Sequence, residues 1–315
     1  MSLALDKPAA VDKPAVDRAS NRRERWRGLA MAFPPIAVVA LFIGFPVVTA
    51  LLYTFGYVNG PNDAIASLGQ DQVTRFPSVG AYQKVLADPS ARASLSATVI
   101  VTILTVVIVL VISWLVALYA RLAGSRLAKV VSALSVTPLF IPVVISSYAI
   151  LTFYAPDGFL HSLATTAGLP GFPRVSYTLS AVTIGEVWVN LPFGVLLMTS
   201  GLNAVPNVLI DAARDVGSSL TRTVRTILLP MNIVPTVIVG TFTAIYVLGS
   251  FTVPYITGPN APNLLGTAMT FSFMSYGRPQ QAEVMAAIVF VLAAGIGTLY
   301  VWANLRSERR SGTRR

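Results

Sequence analysis

Apolar positions in this chain do not alternate with polar ones; they run on without interruption. Stretches with few or no charged residues lie at 31–55, 94–120, 130–154, Leu179–Asn203, 231–253 and 284–304. Each reaches the roughly 20 residues that carry a helix across a bilayer core. A transmembrane barrel is excluded, because its strands alternate lipid-facing and lumen-facing residues. Lipid offers no partner to a free backbone amide, so continuous apolar runs become helices. The pattern predicts an all-α polytopic membrane protein with six transmembrane helices. Thr137-Pro138 and Ile141-Pro142 predict a bend in the third span, and Pro192 one in the fourth, since proline removes an intrahelical hydrogen bond.

The connection at 204–230 breaks the pattern. Its sequence from Ile210 to Pro230, IDAARDVGSSLTRTVRTILLP, is too polar for lipid and too patterned for a linker. Pro206 and Asn207 read as a helix start, where a missing amide costs nothing. Leu209, Ile210 and Ala213 fall on one face of the next turns, and Asp211, Arg214 and Asp215 on another. Gly217 permits a left-handed cap, and Ser218 or Ser219 can start a second helix that ends near Pro230. The spacing predicts a helix, a bend and a helix presented to something soluble. An interfacial connector that merely joins two spans is the alternative.

Composition agrees with a membrane setting: of 315 residues 54% are hydrophobic and only 11% charged, with mean hydropathy +0.69. Soluble domains carry about 25% charged residues. The net charge of +10 raises the question of nucleic acid, and its distribution answers it. Only Arg75, Lys84, Arg92, Arg174 and Arg278 of the 23 basic residues fall in one set of loops; the others fall in the alternate set and the termini. The positive-inside rule then places both termini and the 204–230 loop in the cytoplasm, and no nucleic-acid partner is expected. The domain reading is a disordered basic tail at 1–27, a six-span domain at 28–305 and a basic tail at 306–315 facing membrane lipid. The apolar run after Arg27 is too long for the core of a signal peptide. The chain has no cysteine, which excludes disulfides and thiolate chemistry.

Nothing in the sequence reads as catalysis. His161, the single histidine, lies in a predicted outer loop without a ligand partner. There is no phosphate-binding Gly-rich loop, no Gly-x-Ser-x-Gly elbow and no His-Glu-x-x-His pair. No catalytic residue and no metal site are expected.

Asp211-Ala212-Ala213, three residues, Gly217, nine residues, Ile227, one residue and Leu229-Pro230 resembles the EAA loop of the membrane subunits of binding-protein-dependent ABC importers. The resemblance covers about Trp26 to Arg306 and departs at Asp211, where the family usually has Glu. It implies a type I permease whose first loop helix, through Asp211, Ala212, Ala213, Arg214, Asp215 and Gly217, contacts an ATPase subunit. It implies as partners an ATPase dimer, a second permease subunit and an extracytoplasmic solute-binding protein. ATP and Mg would be bound by the ATPase subunits, with no cofactor on this chain. The implied location is the bacterial cytoplasmic (inner) membrane.

AARDVG, with Val216 before Gly217, looks like the spermidine and putrescine branch, whereas carbohydrate permeases carry Asp before that glycine. The segment GSFTVPYITGP at 249–259, followed by LLGTAM, resembles the same branch. Glu186 is the acidic residue clearly inside a span, and burial of a charge at that depth predicts a place facing the bundle interior. Trp188, Tyr148 and Tyr246 could offer aromatic faces to a cation, and Asn190 lies one turn from Glu186. These five form the expected solute path; packing roles remain open for each. Glu283 is expected at the outer interface. The segments 56–92 and 257–281 read as outer loops, the second with a re-entrant turn. A carbohydrate permease of the same superfamily and a stand-alone secondary carrier are the competing functions; the carrier predicts an inverted repeat that the chain does not display.

Overall fold

The computed structural model describes residues 18–169 and 175–312. The opening part of the expected tail at 1–17, Arg174 and the last residues 313–315 lie outside the described residues. The chain divides into two compact units between Ala50 and Leu51. Among the described residues all regular structure is helical.

The first unit holds α1 (Arg18–Val39), a π-helical turn (Ala40–Gly44) and the start of α2 (Phe45–Thr54). Helix therefore begins at Arg18, inside the stretch 1–27 expected to be disordered. The π turn has a local cause. Pro46 cannot donate, and its ring would crowd the carbonyl of Phe42, so the turn before it widens until Phe45 N–H reaches Ala40 O. The same device precedes Pro230, where the π turn Val224–Leu228 lets Leu229 N–H bond Val224 O.

The second unit is built from α3 (Pro89–Ala123), α4 (Arg126–Val136), α5 (Val143–Phe153), α6 (Leu179–Asn203), α7 (Asn207–Asp215), α8 (Leu220–Thr223), α9 (Ile233–Leu248), α10 (Thr252–Thr257), α11 (Leu265–Met274) and α12 (Pro279–Gly312). Among the described residues four helices are long and apolar enough to cross a membrane: Trp26–Thr54, Pro89–Ala123, Leu179–Asn203 and Pro279–Trp302. The third and fifth expected spans are broken pairs, bent by 110° between Arg126–Phe140 and Val143–Phe153 and by 66° between Leu220–Met231 and Ile233–Leu248. Six spans result if each pair is one crossing. At the first break Pro138 sits in a 3-10 turn, and Pro142 forces Ile141 into extended backbone (φ −105°, ψ 121°), where no helix can continue. Pro192 lies inside α6 without interrupting it.

α6 is the central helix. Its apolar window is 56% buried, against 28% for α3 and 17% for α12, so protein rather than lipid covers it. Small residues let neighbours approach: a β-carbon at Gly194 would overlap Ser113 Oγ on α3, and one at Gly185 would lie 2.6 Å from Val253 on α10. Val109 and Ala117 of α3, Met198 and Leu202 of α6, Leu228, and Val239 of α9 form the main apolar cluster.

The expected outer segments are more structured than loops. His161 lies on a short helix, Phe159–Thr166, and α11 fills the middle of 257–281. Gln280, 3% exposed, holds the outer segment to the last span. Its Nε2 donates to Tyr53 O (3.0 Å) and Val73 O (2.9 Å), and its Oε1 accepts from Val73 N–H (2.8 Å). Every polar group of this buried amide is thereby used.

Candidate coupling loop and membrane-embedded site

The 204–230 connection folds as the spacing predicts. Val205 leaves α6, Pro206 in extended backbone precedes α7, and α7 ends at Asp215. Gly217 takes φ +70°, and two bonds close the turn, Gly217 N–H to Arg214 O and Ser218 N–H to Ala213 O, both 2.9 Å. No neighbour lies within 4 Å of a β-carbon placed there, so only the backbone conformation demands glycine. Ser219, not Ser218, caps the next helix, accepting from Arg222 N–H at 3.4 Å.

The loop has an inside and an outside. Ile210 is 5% exposed and Leu228 fully buried; both join Val205 in the main cluster. Asp211, Ala212, Arg214, Asp215, Val216 and Gly217 are exposed, with Ala213 half-buried between the two sides. Leu209, expected beside Ile210 on the covered face, is exposed. The outward surface is thus small and apolar at its centre and charged around it. Asp211 meets Arg214 at 3.7 Å one turn on, an exposed pair of small energetic weight that orients both side chains.

Sequence reasoning treated Arg121 only as a marker of topology. It stands in the last turn of α3, and its Nε donates to Leu202 O (3.1 Å) while Nη2 donates to Val205 O (2.8 Å) and Asn207 Oδ1 (2.5 Å). Leu202 lies in the last turn of α6 and Val205 two residues beyond its end; the Leu202 carbonyl also accepts from Val205 N–H at 3.2 Å, so the guanidinium ties down a turn that the backbone has already closed. Asn232 plays a similar part at the loop's exit. It is fully buried at the 66° break, with Nδ2 donating to Met198 O at 3.4 Å.

The expected solute path is only partly assembled. Glu186 is fully buried on α6, and neither carboxylate oxygen has a hydrogen-bond partner. Ser250, in the break between α9 and α10, is the polar group facing it, outside hydrogen-bond geometry. Asn190 donates to the Glu186 backbone carbonyl at 2.8 Å and leaves the carboxylate alone. Tyr246 is within electrostatic reach of Glu186. Trp188, two residues from Glu186, points to another face of α6 and lines an apolar groove of ≈ 450 Å³ with Ile145 and Phe153 of α5. Tyr148 is 57% exposed and joins neither group, so in this chain Trp188 and Tyr148 stand apart from Glu186. Glu283 is half-buried in the first turns of α12. The two outer segments do meet: Asp88 and Ser90 from one, with Asn260, Asn263, Arg278 and Gln281 from the other, line a polar recess of ≈ 780 Å³.

This architecture defines a class. The fold is that of an ABC importer membrane protein: a chain of a bacterial ABC transporter that imports the acidic polysaccharide alginate superposes with TM-score 0.74 at 16% identity, over 93% of this chain and 99% of that one. Sequence relatives are permease proteins of such systems. The spermidine/putrescine transport system permease protein PotB of Escherichia coli is 27% identical over 175 residues, 55% of this chain and 63% of PotB, so the match spans less than two thirds of that relative. The trehalose transport system permease protein SugA of Mycobacterium tuberculosis is 29% identical over 224 residues, 70% of each chain. No family model matches the chain.

Proposed function

We propose that this chain is the membrane-spanning, non-catalytic permease subunit of a binding-protein-dependent ABC importer in a bacterial cytoplasmic membrane. The observation that carries the reading is the outward-facing helix, Gly217 bend and helix at 207–223, anchored in the core by Ile210 and Leu228. A rigid small-residue knob rooted among spanning helices suits contact with an ATPase subunit, whose bound ATP and Mg would supply the work. The polar recess around Asp88 and Arg278 suits a solute-binding protein on the opposite side. A second permease subunit would complete the path.

The cargo we favour is a polyamine or a related small cation. AARDVG and the similarity to PotB support it, and Glu186 is a buried carboxylate with no cationic side chain paired to it among the described residues. A cationic cargo would provide that pairing. The second reading, a carbohydrate cargo, is favoured by the similarity to SugA over a longer stretch. ATPase activity of the reconstituted complex, titrated with spermidine, putrescine and a panel of sugars, separates the two. Stimulation by sugars alone removes the polyamine assignment, and no stimulation by any binding-protein-delivered solute removes the importer.

A further inference from the structure

The contacts of Arg121 point to more than local packing. Three different acceptors converge on one guanidinium: the Leu202 carbonyl in the last turn of α6, the Val205 carbonyl in the connection that follows, and the side chain of Asn207 in the first turn of α7. Arg121 itself belongs to α3, which packs along α6 more extensively than any other pair of helices. A planar, permanently charged fork can hold several acceptors in fixed directions, and a cation at a helix C-terminus is further favoured by the helix dipole. The joint at the loop's exit is equally tight. Asn232 is sealed against α6 at Met198 and Gly201, and no β-carbon fits between them. The loop therefore has no free root: it is fastened to the end of α6 where it begins and where it ends.

From this geometry we infer that Arg121 is a positioning residue for coupling, the pin that makes α7, α6 and α3 move as one lever when α7 is displaced. The inference rests on the importer reading and extends it to a residue outside the loop motif. Without the pin, α7 swings about Pro206 and Val205, and a push on it is absorbed at that joint. ATP is still hydrolysed, and the spans do not follow.

The test uses the assembled complex in proteoliposomes, with solute uptake and ATP hydrolysis measured together for the parent, Arg121→Gln, Arg121→Lys and Asn207→Ala. Uptake per ATP is expected to fall about tenfold or more in Arg121→Gln, a loss within the usual range of coupling between sites. Arg121→Lys, which keeps the charge and loses the fork, should fall between. Asn207→Ala should lose less and add nothing further in the Arg121→Gln background. Unchanged uptake per ATP in Arg121→Gln overturns the inference. If Arg121→Gln fails to assemble, Arg121→Lys and Asn207→Ala decide it, and an unchanged ratio in both overturns it. Hydrogen exchange of amides 205–216 in the isolated chain judges the pin independently of transport. Faster exchange there in Arg121→Gln supports the pin even if the parent complex imports nothing, an outcome that removes the importer reading alone; unchanged exchange removes the pin.

Discussion

Asn232 occupies the notch that Gly201 leaves on α6, so closely that a β-carbon at position 201 would overlap its Oδ1. Asn232 is fully buried and Gly201 half-buried. Gly201→Ala should destabilise the protein by about 1–3 kcal/mol, the usual cost of overpacking a close contact. Thermal unfolding in detergent measures it. Asn232→Ala removes the obstructing oxygen, and the double variant should cost less than the two single changes added. Strict additivity would show that the two positions do not share the contact.

Gly217 tests the loop by a different route, since nothing surrounds it and only its φ of +70° is demanding. Gly217→Val faces the left-handed penalty of about 1–2 kcal/mol and should lose uptake with expression retained. Gly217→Asn, a residue that tolerates this conformation, should keep most of it. Equal loss in both variants would mean that the side chain matters and the bend does not.

For Glu186 the expectation concerns stability and transport in opposite directions. A fully buried carboxylate without a paired cation is costly to desolvate, so Glu186→Gln should leave the melting temperature unchanged or raise it. Uptake of a polyamine should drop about tenfold or more, as a buried charge partner is worth several-fold to many-fold in affinity. Undiminished polyamine uptake by this variant would end the counter-charge role.

Asp71 and Lys84 form an exposed ion pair at 2.7 Å in the outer segment, and the Lys84 hydrogen bond and charge hold the Asp71 carboxyl below its ordinary range. A depressed folded value means that the contribution is present above the unfolded value of about 4 and is lost as pH falls through the lowered one. The melting temperature of Lys84→Met should lie slightly under that of the parent at neutral pH, and the gap should close in strong acid. A gap that persists unchanged at pH 2 would rule the pair out as its source.

Much of this was legible in the sequence, for reasons that can be named. Apolar runs report helices because lipid leaves the backbone no other choice, and Pro138 and Pro142 report a break because they remove donors and restrict Ile141. The loop was legible because its turn needs one backbone conformation, which Gly217 supplies. Two kinds of information were not local. The size of each bend depends on what the broken helix packs against, so the 66° turn at Asn232 had no sequence signal beyond nearby prolines. The clamp by Arg121 joins residues 81 to 86 positions apart, and an arginine at a helix end reads first as topology. That Trp188 and Tyr148 stand apart from Glu186 had no sequence signal, because aromatic type says nothing of direction and two residues along a helix turn a side chain to another face.

Gln280 also orders events in time. Its partners Tyr53 and Val73 precede it by 227 and 207 residues, so both leave the ribosome long before the amide that will hold them. Tyr53 O meanwhile accepts from Gly56 N–H at 3.0 Å, whereas the Val73 amide and carbonyl wait for Gln280. A nascent chain arrested before Gln280 therefore lacks the one side chain that joins Tyr53 to Val73.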